Sequence, residues 1–377
     1  MVQQTAPAAS YQGPLHEMTQ TTPTCLWTDT AEYEALQTSL GYGAVGATCN
    51  PVIAVSVLKK EMAYWRPRAE ELIRSLPHAS EDEIGWKLVE EMSVRAAGLL
   101  RHVFERDRGR NGRLSIQTDP RFHRDPQRLL EQAVHFSQLA PNMIVKIPVT
   151  AAGIPAIEEA TYRGVSINAT VSFTLPQALS VAEAVERGLK RREKEGKRVD
   201  DMGPVCTLMV GRLDDWLKMV IEKEGLSLDP GACEWAGVAV FKKAYQLYRQ
   251  RGYRLRLLAA AYRNHMHWSE LVGGDLVLSP PFSWQSRFNK SGISPRPRIE
   301  APLEPRLLHD LLRLPDFRRA YEEDGLSLAD FDSFPPTRRT LRQFLSAGAE
   351  LNALVRDFLV KNPDSEMLET ATGSAGH

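Results

Sequence analysis

The tightest constraint on how this chain can fold is a rhythm. Short apolar or β-branched runs alternate with long amphipathic stretches along most of its length. The runs are TCLWTD (24–29), AVGAT (44–48), GRLSIQTD (112–119), MIVKIPV (143–149), GVSINATVSF (164–173), PVCTLMVG (204–211), RLRLLAAAY (254–262) and GDLVLS (274–279). Between them, 82–108 and 175–196 carry apolar residues at helical spacing, and 222–250 reads as a further helix around WAGVAVFKKAYQLYR. Eight parallel strands can close on themselves, so the expected class is α/β, a (β/α)8 TIM barrel with added C-terminal helices.

The rhythm also sets the expected organisation. Residues 1–20 are polar and are expected to form a flexible lead-in, and 21–285 the barrel. Residues 286–377 begin with a proline-rich linker (289–305) and continue with helices near 306–323 and 337–361. A strandless extension of about 60 residues makes a poor independent core, so it is expected to pack on the barrel.

Composition excludes several classes. Lysine plus arginine equals aspartate plus glutamate at 47 each, so the formal charge is zero. A nucleic-acid or anionic-membrane partner would usually leave a basic excess, and neither is expected. Residues 1–8 lack the basic and apolar regions of a signal peptide. No apolar run approaches the ~20 residues that cross a bilayer. The four cysteines lie far apart with no CxxC spacing, which fits reduced thiols in a cytoplasmic protein better than disulfides or zinc. No metal or other cofactor is expected.

Barrel enzymes place their chemistry at the C-terminal ends of the strands. Reading those ends gives Asp29, then Thr48 and Asn50, then Gln117, Lys146, Asn168 and Thr170. Thr207 with Arg212, and Arg263 with Asn264, follow on the sixth and seventh runs. Lys146 is the sharpest candidate, because apolar or β-branched residues flank it on both sides. It could snorkel to solvent or pair with a carboxylate. Alternatively, desolvation could lower its pKa and make the amine nucleophilic. Reaching neutrality near pH 7 takes about 4 kcal/mol of differential solvation, which burial can supply. Asp29 could equally cap a following helix, and Asn50 before Pro51 could be a turn residue. Arg212 and Arg263 could pair with Asp214, Asp215 or Glu270, or together clamp a phosphate.

The blocks AVGATCNPVI, NMIVKIPVTAAGIPAIEEATYRGVSINATVSFTLPQA, VGRLDD and AAAYRN resemble the signature blocks of transaldolases, in the same order, over about 25 to 285. The resemblance implies a class I aldolase barrel with its Schiff-base lysine at Lys146. It further implies an acid/base role for Asp29 and a water-positioning role for Thr170. Asn50 and Asn168 would hold substrate hydroxyls, and Arg212 and Arg263 the sugar phosphate. Thr207 stands where the family has a serine. Sugar phosphates are the implied substrates, and a homodimer is a possible assembly.

The departures are specific. Transaldolases carry a glutamate at Gln117; a glutamine holds a water but exchanges no proton at pH 7. Related fructose-6-phosphate aldolases also have glutamine there, with a tyrosine where this chain has Met209. A serine two before the second arginine is replaced by Ala261, and Cys49 replaces a serine. The resemblance therefore implies transfer of a dihydroxyacetone unit between sugar phosphates, as in the pentose phosphate pathway. Alternatives are cleavage that releases dihydroxyacetone, or a barrel that binds sugar phosphates without turnover. A lid role is expected for 341–359, whose removal from Arg338 onward should alter substrate affinity before folding.

Overall fold

The computed structural model describes residues 10–229, 231–361 and 363. Eight parallel strands form a closed barrel in sequence order. They are β1 (Cys25–Thr28), β2 (Ala44–Thr48), β3 (Arg113–Gln117), β4 (Met143–Pro148), β5 (Ile167–Thr170), β6 (Val205–Met209), β7 (Arg256–Ala260) and β8 (Val277–Leu278). Each lies within one of the eight runs. Closure is made by β1 against β8, with Cys25 opposite Val277 and Leu26 opposite Leu278.

Alternation along each strand sorts two cores. Leu26, Leu114, Val145, Ile147, Ile167, Ala169 and Leu257 face the surrounding helices in one continuous apolar layer. Trp27, Ile144, Val205, Leu258 and Val277 form a separate cluster that fills the barrel itself. Gly46 makes room for the largest of these: a Cβ there would stand 2.4 Å from the Trp27 indole. The interior is therefore packed at mid-height, and only its two ends are available for polar groups.

Four expectations are corrected. Within the supposed lead-in, Pro14–Thr21 is a helix whose Leu15 and Met18 are fully buried, and Met18 Sδ accepts from the Trp268 indole at 3.3 Å. The single helix at 222–250 is two. One runs Val210–Glu224 and stops at Gly225, whose left-handed φ of 61° ends it; the next is Ala236–Arg251. The helix near 306–323 divides into Pro305–Leu312 and Pro315–Tyr321, because Pro315 cannot continue a preceding turn. The proline-rich run is no free linker: backbone N–H groups of Arg298 and Ile299 donate to Val272 O, and buried Lys242 donates to Arg298 O and Ala301 O at 2.9 Å.

The last described helix, Pro335–Leu359, buries Leu341, Phe344, Ala347, Leu351 and Val355. It crosses the C-terminal end of the barrel, packing on the helices Pro51–Lys60 and Glu81–Arg106 at one side and on Val210–Glu224 at the other. No helix among the described residues is long and apolar enough to cross a membrane.

Candidate active site

The strand ends expected to carry chemistry meet at the mouth beneath that helix. Gln117, Lys146 and Asn168 are direct lateral neighbours across β3, β4 and β5. In-register residues of parallel strands share a face, and the face is inward. Asn168 shows this, donating to Ser115 Oγ at 3.0 Å and accepting from Thr207 Oγ1 at 2.7 Å. Those two bonds fix the amide across three strands.

Lys146 is 5% exposed, and among the described residues its amine makes no hydrogen bond or ion pair, feeling Asp29 only through space. Both bland readings of this lysine are thereby set aside: it does not snorkel, and no carboxylate neutralises it. Burial pushes its pKa below the ordinary lysine value, against the opposing negative charge of Asp29; Arg212 pushes it down further.

Asp29 follows β1 and does not cap a helix; the next helix, Tyr33–Gly41, begins from Glu32 without a side-chain cap. Its carboxylate instead accepts a short hydrogen bond from the Thr48 hydroxyl at the end of β2. Gln117 is buried, with Oε1 unpartnered among the described residues. Thr170 is buried two register pairs above Lys146 and Asn168, and so faces the same way as Asn168. The backbone just beyond it is strained: Val171 has φ 56°, a left-handed conformation that a β-branched residue rarely adopts. Gln177 holds that turn, donating to Val149 O and Val171 O and accepting from the Phe173 N–H.

Asn50 is a helix cap rather than a turn residue. Its Oδ1 caps the helix Pro51–Lys60 by accepting from the Ile53 N–H at 3.0 Å. Cys49 is buried, and burial raises its thiol to about 12 despite the Lys146 charge, so it is a neutral thiol at physiological pH. Beside Cys49, Asn50 and Gln117 a mostly apolar cavity of about 190 Å³ opens, walled by Trp86, Leu345 and Leu351.

The two arginines lie at the ends of β6 and β7. Arg263 pairs with Asp215 at 2.8 Å, as one of the bland readings had it, but Arg212 has no carboxylate partner among the described residues. Instead Arg212 donates to Gln343 Oε1 at 2.6 Å and to Thr340 Oγ1 at 3.3 Å, both on the C-terminal helix. Its Nε is buried without a partner among the described residues. Burial, with the neighbouring Arg263 charge, lowers its pKa to about 10, which leaves it cationic at neutral pH.

His267 and Tyr262 at this end escaped the sequence reading, and Asp214, read there as a possible arginine partner, pairs with a histidine instead. His267 and Asp214, both fully buried, are joined at 2.8 Å. His267 Nδ1 accepts the Arg263 backbone N–H at 3.0 Å, so Nδ1 carries no proton and Nε2–H donates to Asp214. This hydrogen-bonded pair fixes the backbone from which Arg263 projects. Tyr262, between Ala261 and Arg263, is buried with its hydroxyl unpartnered among the described residues, close enough to Asp29 for that charge to act on it. Its neighbour Ala261 has φ 63°. Met209, where a tyrosine was the pattern of the aldolases, is buried in register with Ala260 of β7.

A closed parallel barrel that gathers a buried lysine, a carboxylate and two arginines, one of them without a carboxylate partner among the described residues, at its C-terminal mouth has the layout of a barrel enzyme. The family model described as transaldolase/fructose-6-phosphate aldolase matches residues 26–310, and the chain belongs to that family. Among its relatives are transaldolase 1 of Streptomyces avermitilis, 32% identical over 222 residues that cover 58% of each chain. The transaldolase of Mycolicibacterium smegmatis is 30% identical over 234 residues, 60% of this chain and 62% of that one. That of Kocuria rhizophila is 31% identical over 208 residues, 55% and 56%. The chain thus spans less than two thirds of the length of these relatives.

Proposed function

We propose that this chain is a transaldolase acting through a Schiff base on Lys146, with phosphorylated ketoses as donors and aldose phosphates as acceptors. The observation that carries the reading is the buried Lys146 amine, held without an ion-pair partner among the described residues and within reach of the Asp29 charge.

The neutral amine attacks the C2 carbonyl of the ketose, and loss of water from the carbinolamine leaves an iminium. Thr170 and Gln117 hold the water that leaves and returns. Asp29 takes the proton of the C4 hydroxyl as the C3–C4 bond breaks, and the bonding pair enters the iminium as an enamine. The shortened aldose departs. The enamine carbon then adds to an acceptor aldehyde, which takes a proton back from Asp29, and hydrolysis frees Lys146. Asn50, Asn168 and Thr207 face the hydroxyls, while Arg212 and Arg263 take the phosphate. A cytoplasmic setting fits four cysteines that are all free thiols.

Gln117 supports a second outcome for the same enamine: protonation and hydrolysis that release dihydroxyacetone. A carboxylate would relay protons through the bound water; an amide cannot. Borohydride reduction in the presence of fructose 6-phosphate tests the reading. A three-carbon adduct should form on Lys146 and be missing in Lys146→Met. No adduct with any ketose would defeat it. Adding erythrose 4-phosphate then separates transfer, which yields glyceraldehyde 3-phosphate with a new seven-carbon ketose, from release of free dihydroxyacetone.

A further inference from the structure

The C-terminal helix brings a third arginine to the place where Arg212 and Arg263 stand. Arg212, Arg263, Arg339, Asp215, Thr340 and Gln343 line one cavity of about 300 Å³ at the edge of the barrel mouth. Arg339, Thr340 and Gln343 all belong to the helix Pro335–Leu359 and lie within about one turn of one another, so the three border the same cavity.

The charges of this cavity do not balance. Asp215 is spent on Arg263, at 2.8 Å. Arg212 has only the neutral oxygens of Thr340 and Gln343, and its Nε has none. Arg339 has no carboxylate among the described residues; its guanidinium rests on the Met219 sulfur at 2.8 Å, a weak acceptor. Three guanidinium groups against one carboxylate leave an excess of two positive charges facing one space. A phosphate monoester carries about −1.5 to −2 at pH 7, with oxygens that guanidinium forks match two at a time. Neither chloride nor a carboxylic acid would balance the cavity as closely.

We propose that Arg339 is a third phosphate-binding arginine, supplied by the C-terminal helix, so that the substrate's phosphate bridges this helix to the ends of β6 and β7. The inference rests on the phosphorylated-substrate part of the function proposed above and deepens it. It also gives the contacts of Arg212 with Thr340 and Gln343 a meaning. They hold the guanidinium in place beneath the helix, and a bound phosphate would take over the forks that those neutral oxygens only partly satisfy. Arg339 is exposed on the helix surface, so its replacement removes charge and hydrogen bonds without opening the core.

The test uses the full-length chain and inorganic phosphate, measured by calorimetry and as a competitive inhibitor of any turnover. Arg339→Gln should weaken phosphate binding about 10- to 100-fold, the range of one charge-assisted pair of hydrogen bonds. With a phosphorylated ketose the loss should fall on KM and leave kcat within a few-fold. Arg339→Lys should recover only part of the affinity, because an ammonium lacks the fork. The control is Arg342→Gln, which removes an equal charge from the exposed side of the same helix. Equal affinity in wild type and Arg339→Gln, or an equal loss in Arg342→Gln, overturns the proposal. Phosphate binding is measured without turnover, so a missing Lys146 adduct would refute the aldolase chemistry while leaving Arg339 to be judged on its own.

Discussion

The nucleophilic role proposed for Lys146 rests on what surrounds the amine more than on any bond it makes. Burial lowers its pKa below the usual 10.5 and Asp29 works against that shift. The neutral, nucleophilic fraction therefore grows as pH rises through the folded-state pKa, which is reached earlier than in an exposed lysine. Borohydride trapping of dihydroxyacetone should climb and level off below the pH range of an ordinary amine. Asp29→Asn removes a charge that favours the ammonium form, so its trapping curve should move to lower pH. A curve that rises only near 10.5, or moves the other way, would disprove this account. The same shift has a stability sign: the unfolded chain holds this proton more tightly, so folding gains stability as pH rises from the folded pKa toward 10.5. Lys146→Met should accordingly resist urea better than wild type at neutral pH, and a lower midpoint would contradict it. Cys49 provides the opposite case. Its thiol, raised to about 12, should escape iodoacetamide at pH 7.5, and Cys49→Ser should keep activity; rapid alkylation followed by mass mapping to Cys49 would show the burial argument to be wrong.

At the scale of elements, strand ends and tight turns decide where the side chains point. Gly211 is the clearest instance. It opens the helix Val210–Glu224 just before Arg212, and a Cβ there would sit 2.2 Å from Ala261 O and 2.6 Å from Arg263 Cγ. Gly211→Ala must push the β7 turn away, at an expected cost of about 1–3 kcal/mol by overpacking. Because that turn carries Arg263 and is held by His267, affinity for phosphorylated substrate should fall with stability. A variant with an unchanged melting curve and unchanged KM would show that the close approach does not matter. Elements also explain what could be read from sequence. Buried parallel strands need apolar side chains on both faces, so all eight stood out as continuous runs. Helix ends were harder: Gly225 and Pro315 were present as signals, but apolar spacing continued past both and favoured one helix over two. The strand-end residues Asp29, Gln117, Lys146, Asn168 and Thr170 were legible because position along a strand fixes their place in a barrel. His267, Tyr262, Arg339 and the pairing of Asp214 with a histidine were not. Their roles depend on packing between elements distant in sequence, such as the His267 ring against the Arg263 backbone or the C-terminal helix against β6 and β7.

For the whole molecule, the helix Pro335–Leu359 belongs to the roof of the candidate site and to the core at once. One edge meets the arginine cavity, while Leu345 and Leu351 wall the apolar cavity beside Gln117. Were it only a lid, its removal from Arg338 onward would alter affinity first and folding second, as the sequence suggested. The burial argues for the reverse order. Leu341, Phe344, Leu351 and Val355 are each at most 6% exposed. At roughly 1.5–3 kcal/mol for each buried side chain, their loss removes about 6–12 kcal/mol. A domain's net stability is typically about 5–15 kcal/mol, so the deletion consumes most or all of it. The truncated chain should therefore lose its cooperative urea transition or precipitate. Leu351→Ala, at about 2–5 kcal/mol, should stay folded with a lowered midpoint. A truncated protein that unfolds cooperatively near the wild-type midpoint would show the helix to be a detachable lid after all. If the prediction holds, any opening for substrate must be confined to the helix's exposed edge near Arg339 and Gln343, since the buried edge cannot lift without unfolding the barrel's cover.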